Sequence, residues 1–208
     1  MRQPGDQRED IVMTLRSYLA ATIIAASFFG LVGRTSAADS SPPTDKGSNT
    51  YDEGTITGIA TGFFGESSKA LAKVIQKAFA DLGRPNAYIT GQEVSAAIAI
   101  GLRYGDGHIT NKTEGSRRVY WKGPSAGFDL GANASKTFVL VYHLKNLDNI
   151  YHRFPGIDGS IYYIAGVSMN YQQRGNVILA PIRVGVGLRA GANVGYLHYT
   201  RKRSWIPF

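Results

Sequence analysis

The chain of 208 residues contains no cysteine, so disulfide bonds, thiolate catalysis and cysteine-ligated zinc are excluded. Acidic residues are also scarce, since 15 Asp and Glu stand against 23 Lys and Arg and leave a net charge of +8. A basic balance favours anionic partners such as phospholipid headgroups, acidic polysaccharide or nucleic acid. With 43% hydrophobic and 18% charged residues, the composition is that of a globular protein and not of a disordered one.

The N-terminal segment has the pattern of a cleaved signal peptide. Arg16 supplies a positive charge, residues 18–32 form an apolar run, and Ala37 or Ala38 provides the small residue at which a signal peptidase cuts. The apolar run is shorter than the roughly 20 residues of a membrane-spanning helix, which favours cleavage over an uncleaved anchor. The residues before Met13 are polar and acidic, unlike the start of a signal peptide, so both Met1 and Met13 remain open as the start of translation.

These features predict three parts of the chain. We expect residues 1–38 to be removed on export, residues 39–50 to form a flexible polar leader, and residues 51–208 to fold as a single domain. Residues 39–208 keep 19 basic against 12 acidic side chains, so the exported part stays basic at +7. An exported protein rarely meets nucleic acid, and that partner is therefore not expected.

One amphipathic helix is indicated between Leu71 and Leu82, where apolar residues recur at helical spacing. Ser67 or Ser68 suits the start of this helix and Gly83 its end. A shorter helical turn is expected near residues 147–152. Most of the remaining sequence is rich in β-branched and aromatic residues between turn residues, and it predicts strands at 55–63, 95–104, 117–121, 137–144, 160–171, 177–188 and 193–200.

Two of these strands carry informative patterns. Residues 138–142 are apolar on both faces, which predicts a central strand covered on both sides. Residues 178–188 are apolar on one face, whereas Pro181, Arg183 and glycines occupy the other, which predicts burial on one side only. Because recurrent glycine allows strands to bend strongly, we expect a mainly β fold, a small β-barrel or half-barrel with one main amphipathic helix.

Catalytic motifs are weak in this sequence. Gly123-Pro124-Ser125-Ala126-Gly127 fits the outline of a hydrolase nucleophile elbow, but such an elbow needs a helix after the serine, and here another strand is predicted. The four histidines show no pair at metal-binding spacing. We therefore expect no enzymatic activity, no catalytic residue, no metal and no cofactor, with a Ser125 hydrolase as the weaker alternative.

The candidate binding residues lie near the C-terminus. Arg201, Lys202 and Arg203 form a basic cluster and are followed by Trp205, a combination that suits the interface of an anionic membrane. The alternative is that the basic residues are merely solvated while Trp205 and Phe208 fold back to plug the barrel. Both interpretations remain open on the sequence.

Several longer motifs carry a resemblance to a known family, and they are Tyr51–Glu53, Gly65–Ser68, Trp121–Ser125, Gly127–Lys136, Tyr151–Gly156 and Trp205–Phe208. They resemble motifs of the envelope integrity protein A family of Gram-negative bacteria. This resemblance covers about residues 51–208 and implies a soluble periplasmic small β-barrel that is needed for envelope integrity, with no assigned activity or ligand. Residues 127–142 and 159–180 are also similar in pattern to SYLF lipid-binding domains, which points to lipid surfaces.

Two functional hypotheses follow. The first is a non-enzymatic periplasmic protein that supports the cell envelope by binding an envelope component, whether a lipid, a cell-wall glycan or an envelope protein. The second is a binding module for anionic phospholipid of the SYLF type, which would contact the membrane peripherally through the C-terminal cluster.

Overall fold

The computed structural model describes residues 48–65, 67–129, 135–185, 195–204 and 206, with the backbone alone at residues 95–100 and 125–129. The predicted signal peptide and most of the predicted leader lie outside the described residues. Within the described ranges the chain forms two α-helices, a 3-10 helix and nine strands. They are α1 (Glu53–Phe64), α2 (Lys69–Leu82), β1 (Ala87–Asn111), β2 (Gly115–Asp129), β3 (Ser135–Tyr142), the 3-10 helix (Leu147–Ile150), β4 (Arg153–Pro155), β5 (Tyr162–Ile164), β6 (Val167–Met169), β7 (Gln172–Arg174), β8 (Val177–Val184) and β9 (Tyr196–Thr200).

All strands belong to one antiparallel sheet in the order β4-β9-β2-β1-β3-β8-β6-β5, with β7 also paired to β8. Gly156, directly after β4, bridges to Gln172 of β7, and the Ile157 N–H donates to the Tyr171 carbonyl at 2.9 Å. The edge of the sheet at β4 therefore approaches β7, which is paired to β8 in the other half of the sheet. This arrangement confirms the predicted mainly β, curled half-barrel.

The bending of β1 gives the sheet its curl. An extended strand would separate Gly91 from Gly107 by about 53 Å. A Cβ added at Gly107 would nevertheless overlap the Thr90 carbonyl and lie 2.7 Å from the Gly91 Cα. The strand thus folds back on itself, pairing with β3 through residues 87–93 and with β2 through residues 97–111. Two glycines are required where its ends touch, because no side chain fits between the backbones.

The sheet has two buried faces. On the outer face, Phe138, Leu140 and Tyr142 of β3 pack with residues of β6 and β8 against the helices, and we call this group the helix-covered core. On the inner face, Val139 and Val141 of β3 pack with residues of the other strands, and we call this group the barrel interior. Residues 138–142 are at most 1% exposed, which confirms the prediction of a strand covered on both sides.

The predicted helix and the predicted helical turn are both confirmed. Helix α2 begins after Ser68, whose side chain accepts a hydrogen bond from the Leu71 N–H, and it ends at Gly83. Its apolar residues, among them Val74 and Ala78, are buried in the helix-covered core. The 3-10 helix occupies the position of the predicted turn. Neither α-helix among the described residues is long and apolar enough to cross a lipid bilayer.

The strand predicted at residues 55–63 was wrong, because this segment is helix α1. The Asp52 carboxylate accepts hydrogen bonds from the Thr55 N–H and hydroxyl, at 2.8 and 2.6 Å, and so caps the helix start. Gly65 ends the helix in the left-handed conformation, with φ +84°. Ile56 and Ala60, one helical turn apart, are fully buried. Capping and burial outweigh the strand preference of the β-branched residues.

Two further strand predictions need correction. Residues 160–171 form the hairpin β5–β6 instead of one strand, because Ala165 and Gly166 adopt positive φ angles and reverse the chain. Strand β8 is covered on both faces, since Leu179 and Pro181 are buried opposite Ala180 and Ile182. The barrel interior buries the face that was expected to meet solvent.

Candidate functional site

A cleft of about 260 Å³ opens where β1 folds back on itself, beside β2 and the segment after β9. Three parts of the chain that are distant in sequence build its walls. The lining residues are Gln92, Val94, Tyr104, Gly105 and Asp106 of β1, Tyr120, Trp121 and Lys122 of β2, and Thr200, Arg203 and Ser204. Four of these residues are aromatic or aliphatic and six are polar or charged, so the lining combines apolar contact area with groups that can fix the orientation of a ligand.

The register of the hairpin β1–β2 places the cleft side chains side by side. Tyr104 lies opposite Lys122, and Asp106 lies opposite Tyr120. Residues directly opposite each other in an antiparallel pair share a face, and residues two apart along a strand share it as well. These four side chains therefore form one continuous surface on the hairpin.

Asp106 is the centre of an ion-pair network at the rim of the cleft. Its carboxylate accepts from Arg118 at 2.5 Å and lies 3.6 Å from Arg203. Both guanidinium groups also lie over the Tyr120 ring, at 5.5 and 5.7 Å from its centroid. The network fixes the orientation of the tyrosine ring through cation–π contacts on top of the ion pairs.

Lys122 occupies the opposite wall and is only 7% exposed. Its ammonium group donates to the Ser204 hydroxyl at 2.9 Å and to the Ile206 carbonyl. Lys122 thereby holds the segment after β9 against β2. His198, its partner in β9, has its pKa lowered by burial and by the neighbouring charges of Arg153 and Lys122, so its imidazole is neutral at pH 7.

A buried ionic cluster supports the floor of the cleft from the barrel interior. Glu93, 3% exposed, pairs with Arg183 at 2.9 Å and with Arg103 at 3.2 Å. The Trp121 indole N–H donates to the same carboxylate at 2.9 Å. Burial alone would raise the pKa of Glu93, but the two arginines and these hydrogen bonds outweigh it and lower the pKa to about 2.

The polar side chains around this cluster are only partly satisfied. Arg183 donates to the side-chain Oδ1 of Asn170 at 3.3 Å, and Thr137 lies opposite Arg183 in the sheet. Within the described part of the chain, no hydrogen-bond partner is found for the Thr137 hydroxyl, the Asn170 amide nitrogen or the Gln172 side-chain amide, all of them buried. Polar groups of this kind are commonly satisfied by internal water.

A second, smaller cavity of about 210 Å³ lies between α2 and the hairpin β5–β6. Its charged groups already satisfy each other, because Lys77 and the Tyr171 hydroxyl both donate to Asp81 at 2.6 Å. The cleft beside β2 is therefore the better candidate site.

The structure divides the basic cluster that the sequence singled out. Arg201, Lys202 and Arg203 are all exposed. Arg203 lines the cleft, whereas Arg201 turns away to pair with Asp148 at 3.0 Å and to stack on Tyr151 at 4.9 Å. Lys202 contributes a backbone carbonyl that accepts from the Thr200 hydroxyl at 2.8 Å. Trp205 lies outside the described residues.

Sequence reasoning missed most of the cleft. Tyr104 and Asp106 on β1, and Tyr120 and Lys122 on β2, alternate aromatic and charged side chains at the two-residue period of a strand face. This alternation is a signal that could have indicated a functional surface. The serine of the hydrolase outline, Ser125, lies within β2 opposite Gly101, so residues 123–127 do not form the strand-turn-helix of a nucleophile elbow.

Fold and cleft together define a small, curled, antiparallel β protein with a helical layer on one face and an open aromatic cleft. The chain belongs to the envelope integrity protein A family, whose model matches residues 49–208. Among solved structures it is similar to a beta-barrel-like, uncharacterized protein from Brucella abortus, with 42% sequence identity and a TM-score of 0.71. That likeness covers 77% of this chain and 100% of the other. No curated protein matches.

Proposed function

We propose that this protein is exported to the periplasm, has no enzymatic activity, and supports envelope integrity by holding an envelope component in the cleft. Membership of the family provides the envelope role. The observation that carries the binding role is the cleft itself, in which three distant segments bring aromatic side chains and polar groups together. The signal-peptide pattern of residues 1–38 supports export.

The chemistry of the cleft supports binding over catalysis. The Asp106 carboxylate is shared between Arg118 and Arg203, and the Lys122 ammonium donates to two neutral oxygens. General acid-base catalysis needs a group that is free to exchange a proton, and covalent catalysis needs a nucleophile beside a base. The Ser204 hydroxyl does lie 2.9 Å from the Lys122 amine, but Lys122 donates both to it and to the Ile206 carbonyl, so the lysine acts as a hydrogen-bond donor that holds the chain and not as the base of a nucleophile.

The SYLF-like alternative, a cationic surface that binds anionic phospholipid, has less support. Arg201, which lies outside the cleft, is engaged with Asp148 and the Tyr151 ring, which reduces the charge that it offers to a membrane. Co-sedimentation with phosphatidylglycerol vesicles at low and high salt tests this alternative, because a contact through surface charge weakens steeply with ionic strength.

Filling the cleft tests the leading proposal. Val94→Trp places a large ring in the cleft without removing a polar contact, and His108→Trp places the same ring at an exposed position of the same strand outside the lining. In a deletion strain challenged with detergent or a cell-wall antibiotic, we expect His108→Trp to restore growth and Val94→Trp to fail at equal protein level. Full complementation by Val94→Trp would refute the proposed role of the cleft.

A further inference from the structure

Lys122 is a buried cation without a counter-ion in the described part of the chain. Its ammonium group donates to the Ser204 hydroxyl and the Ile206 carbonyl, and no ion pair between described residues includes it. Neutral oxygens satisfy its hydrogen bonds, and no carboxylate of the described residues compensates its charge. A buried charge is costly unless it is paired. An anionic ligand at this wall of the cleft would supply the missing partner for the Lys122 ammonium group.

Charged residues at the rim of the cleft add to the positive potential that Lys122 creates. Two guanidinium groups, those of Arg118 and Arg203, share the single carboxylate of Asp106. With Lys122, the described residues around the cleft therefore carry three cations against one carboxylate. The other titratable neighbours do not reverse this balance, since His198 is neutral at pH 7 and Glu93, behind Trp121, is paired with two arginines.

We propose, on the basis of the proposed function, that the cleft recognises an acidic sugar, meaning a sugar ring that carries a phosphate or carboxylate group. The anionic group binds between Lys122 and Arg203, and the ring lies against Tyr104 and Tyr120, which share the surface of the hairpin with Lys122. Envelope glycans and glycolipid headgroups are two sources of this same chemistry.

The size and polarity of the cleft favour a sugar over a lipid chain. A volume of about 260 Å³ lies just below the usual range for drug-sized ligands, roughly 300–1,000 Å³, and suits a single ring. Gln92, Thr200 and Ser204 supply side-chain donors and acceptors in the lining that match sugar hydroxyl groups and have no counterpart on an acyl chain.

Calorimetric titration of the purified full-length protein tests the inference. The probes are glucose 1-phosphate, galacturonic acid, neutral glucose and inorganic phosphate, with phosphatidylglycerol vesicles as a separate arm. We expect the two acidic sugars to bind at least about tenfold more tightly than glucose, because the charge-assisted hydrogen bonds are lost with the neutral sugar. Inorganic phosphate alone, which lacks the ring, is expected to bind more weakly than glucose 1-phosphate.

Two matched arginine substitutions make the titration specific to the cleft. Arg203→Gln and Arg201→Gln each remove an exposed arginine that pairs with an aspartate and stacks on a tyrosine, but only Arg203 lines the cleft. We expect Arg203→Gln to weaken binding of glucose 1-phosphate about tenfold and Arg201→Gln to leave it unchanged. Both positions are at the surface, so both variants should fold.

Several outcomes overturn the inference. They are equal affinity for glucose and glucose 1-phosphate, equal loss in both arginine variants, phosphate binding as tight as that of the phosphorylated sugar, and binding to vesicles alone. If Val94→Trp fails to complement while no acidic sugar binds, the ligand class is wrong but the role of the cleft stands. If Val94→Trp complements fully, the proposed function fails as well.

Discussion

The helix-covered core and the barrel interior lie on opposite faces of the same sheet and differ in kind. In the helix-covered core, Phe138, Leu140 and Ile182 pack against apolar residues of two helices, and the cluster contains no charged residue. The barrel interior also has an apolar part, but it adds the Glu93 cluster, directly beneath Trp121 and the cleft. A buried ion pair rarely stabilises a fold as well as an apolar pair of equal volume. The contrast indicates that the helical side maintains the fold while the interior side positions the cleft.

Glu93→Gln, in the barrel interior, is expected to have the largest effect on stability. It removes the carboxylate that pairs with Arg103 and Arg183 in the barrel interior, and loss of one partner of a buried pair lowers the free energy of unfolding by about 3–5 kcal/mol. Denaturant unfolding at pH 7 measures this loss. Because Trp121 also loses its carboxylate acceptor, its fluorescence should change in the folded state, whereas Phe138→Leu in the helix-covered core should leave that fluorescence as it is.

The same substitution should alter the dependence of stability on pH. The pKa of Glu93 falls from its ordinary value of 4.5 to about 2 in the folded protein, so the unfolded chain binds the proton more readily. The stabilisation is therefore complete above about pH 5 and is lost as the pH falls through 4.5 towards 2. Glu93→Gln should remove this part of the acid destabilisation. An unchanged acid profile in the variant would contradict the assignment of the paired, ionised carboxylate.

Two Gly→Ala substitutions distinguish a glycine that the bend of β1 requires from a glycine that another residue could replace. In Gly107→Ala the new Cβ overlaps the Thr90 carbonyl, and we expect a loss of about 2 kcal/mol, typical of forced overpacking. Gly58 of α1 has nothing within 4 Å of an added Cβ, so Gly58→Ala should stabilise the protein by about 0.5–1 kcal/mol. Thermal unfolding of both variants checks the opposite signs, and equal behaviour would contradict the close approach within β1.

Local patterns predicted α2 and β3 because the apolar residues of each element follow one simple pattern along the sequence. Leu71, Val74 and Ala78 repeat at helical spacing, and residues 138–142 form an apolar run short enough for a strand. The predicted small half-barrel likewise followed from glycine recurrence. These features depend on neighbours in sequence, which is the information that a single chain provides.

The cleft could not be predicted in the same way. It depends on contact between residues 90–91 and residues 106–107 of one strand, and on the segment after β9 reaching β2 through Lys122. No local period encodes either contact. The sequence did indicate Arg203, through its basic cluster, but it gave no reason to separate Arg203 from Arg201, since only the fold directs one to Asp106 and the other to Asp148.

Helix α1 offers the smallest and most local test, because its sequence favoured a strand and its cap favours a helix. The Asp52 carboxylate satisfies the Thr55 N–H at the helix start, and these hydrogen bonds lower the pKa of Asp52. Asp52→Ala should lower the free energy of unfolding by about 1 kcal/mol, and Asp52→Asn, which retains a cap acceptor, by much less. Denaturant unfolding of the two variants distinguishes them. Equal losses would mean that charge at Asp52, rather than its capping hydrogen bond, holds residues 53–64 in the helix.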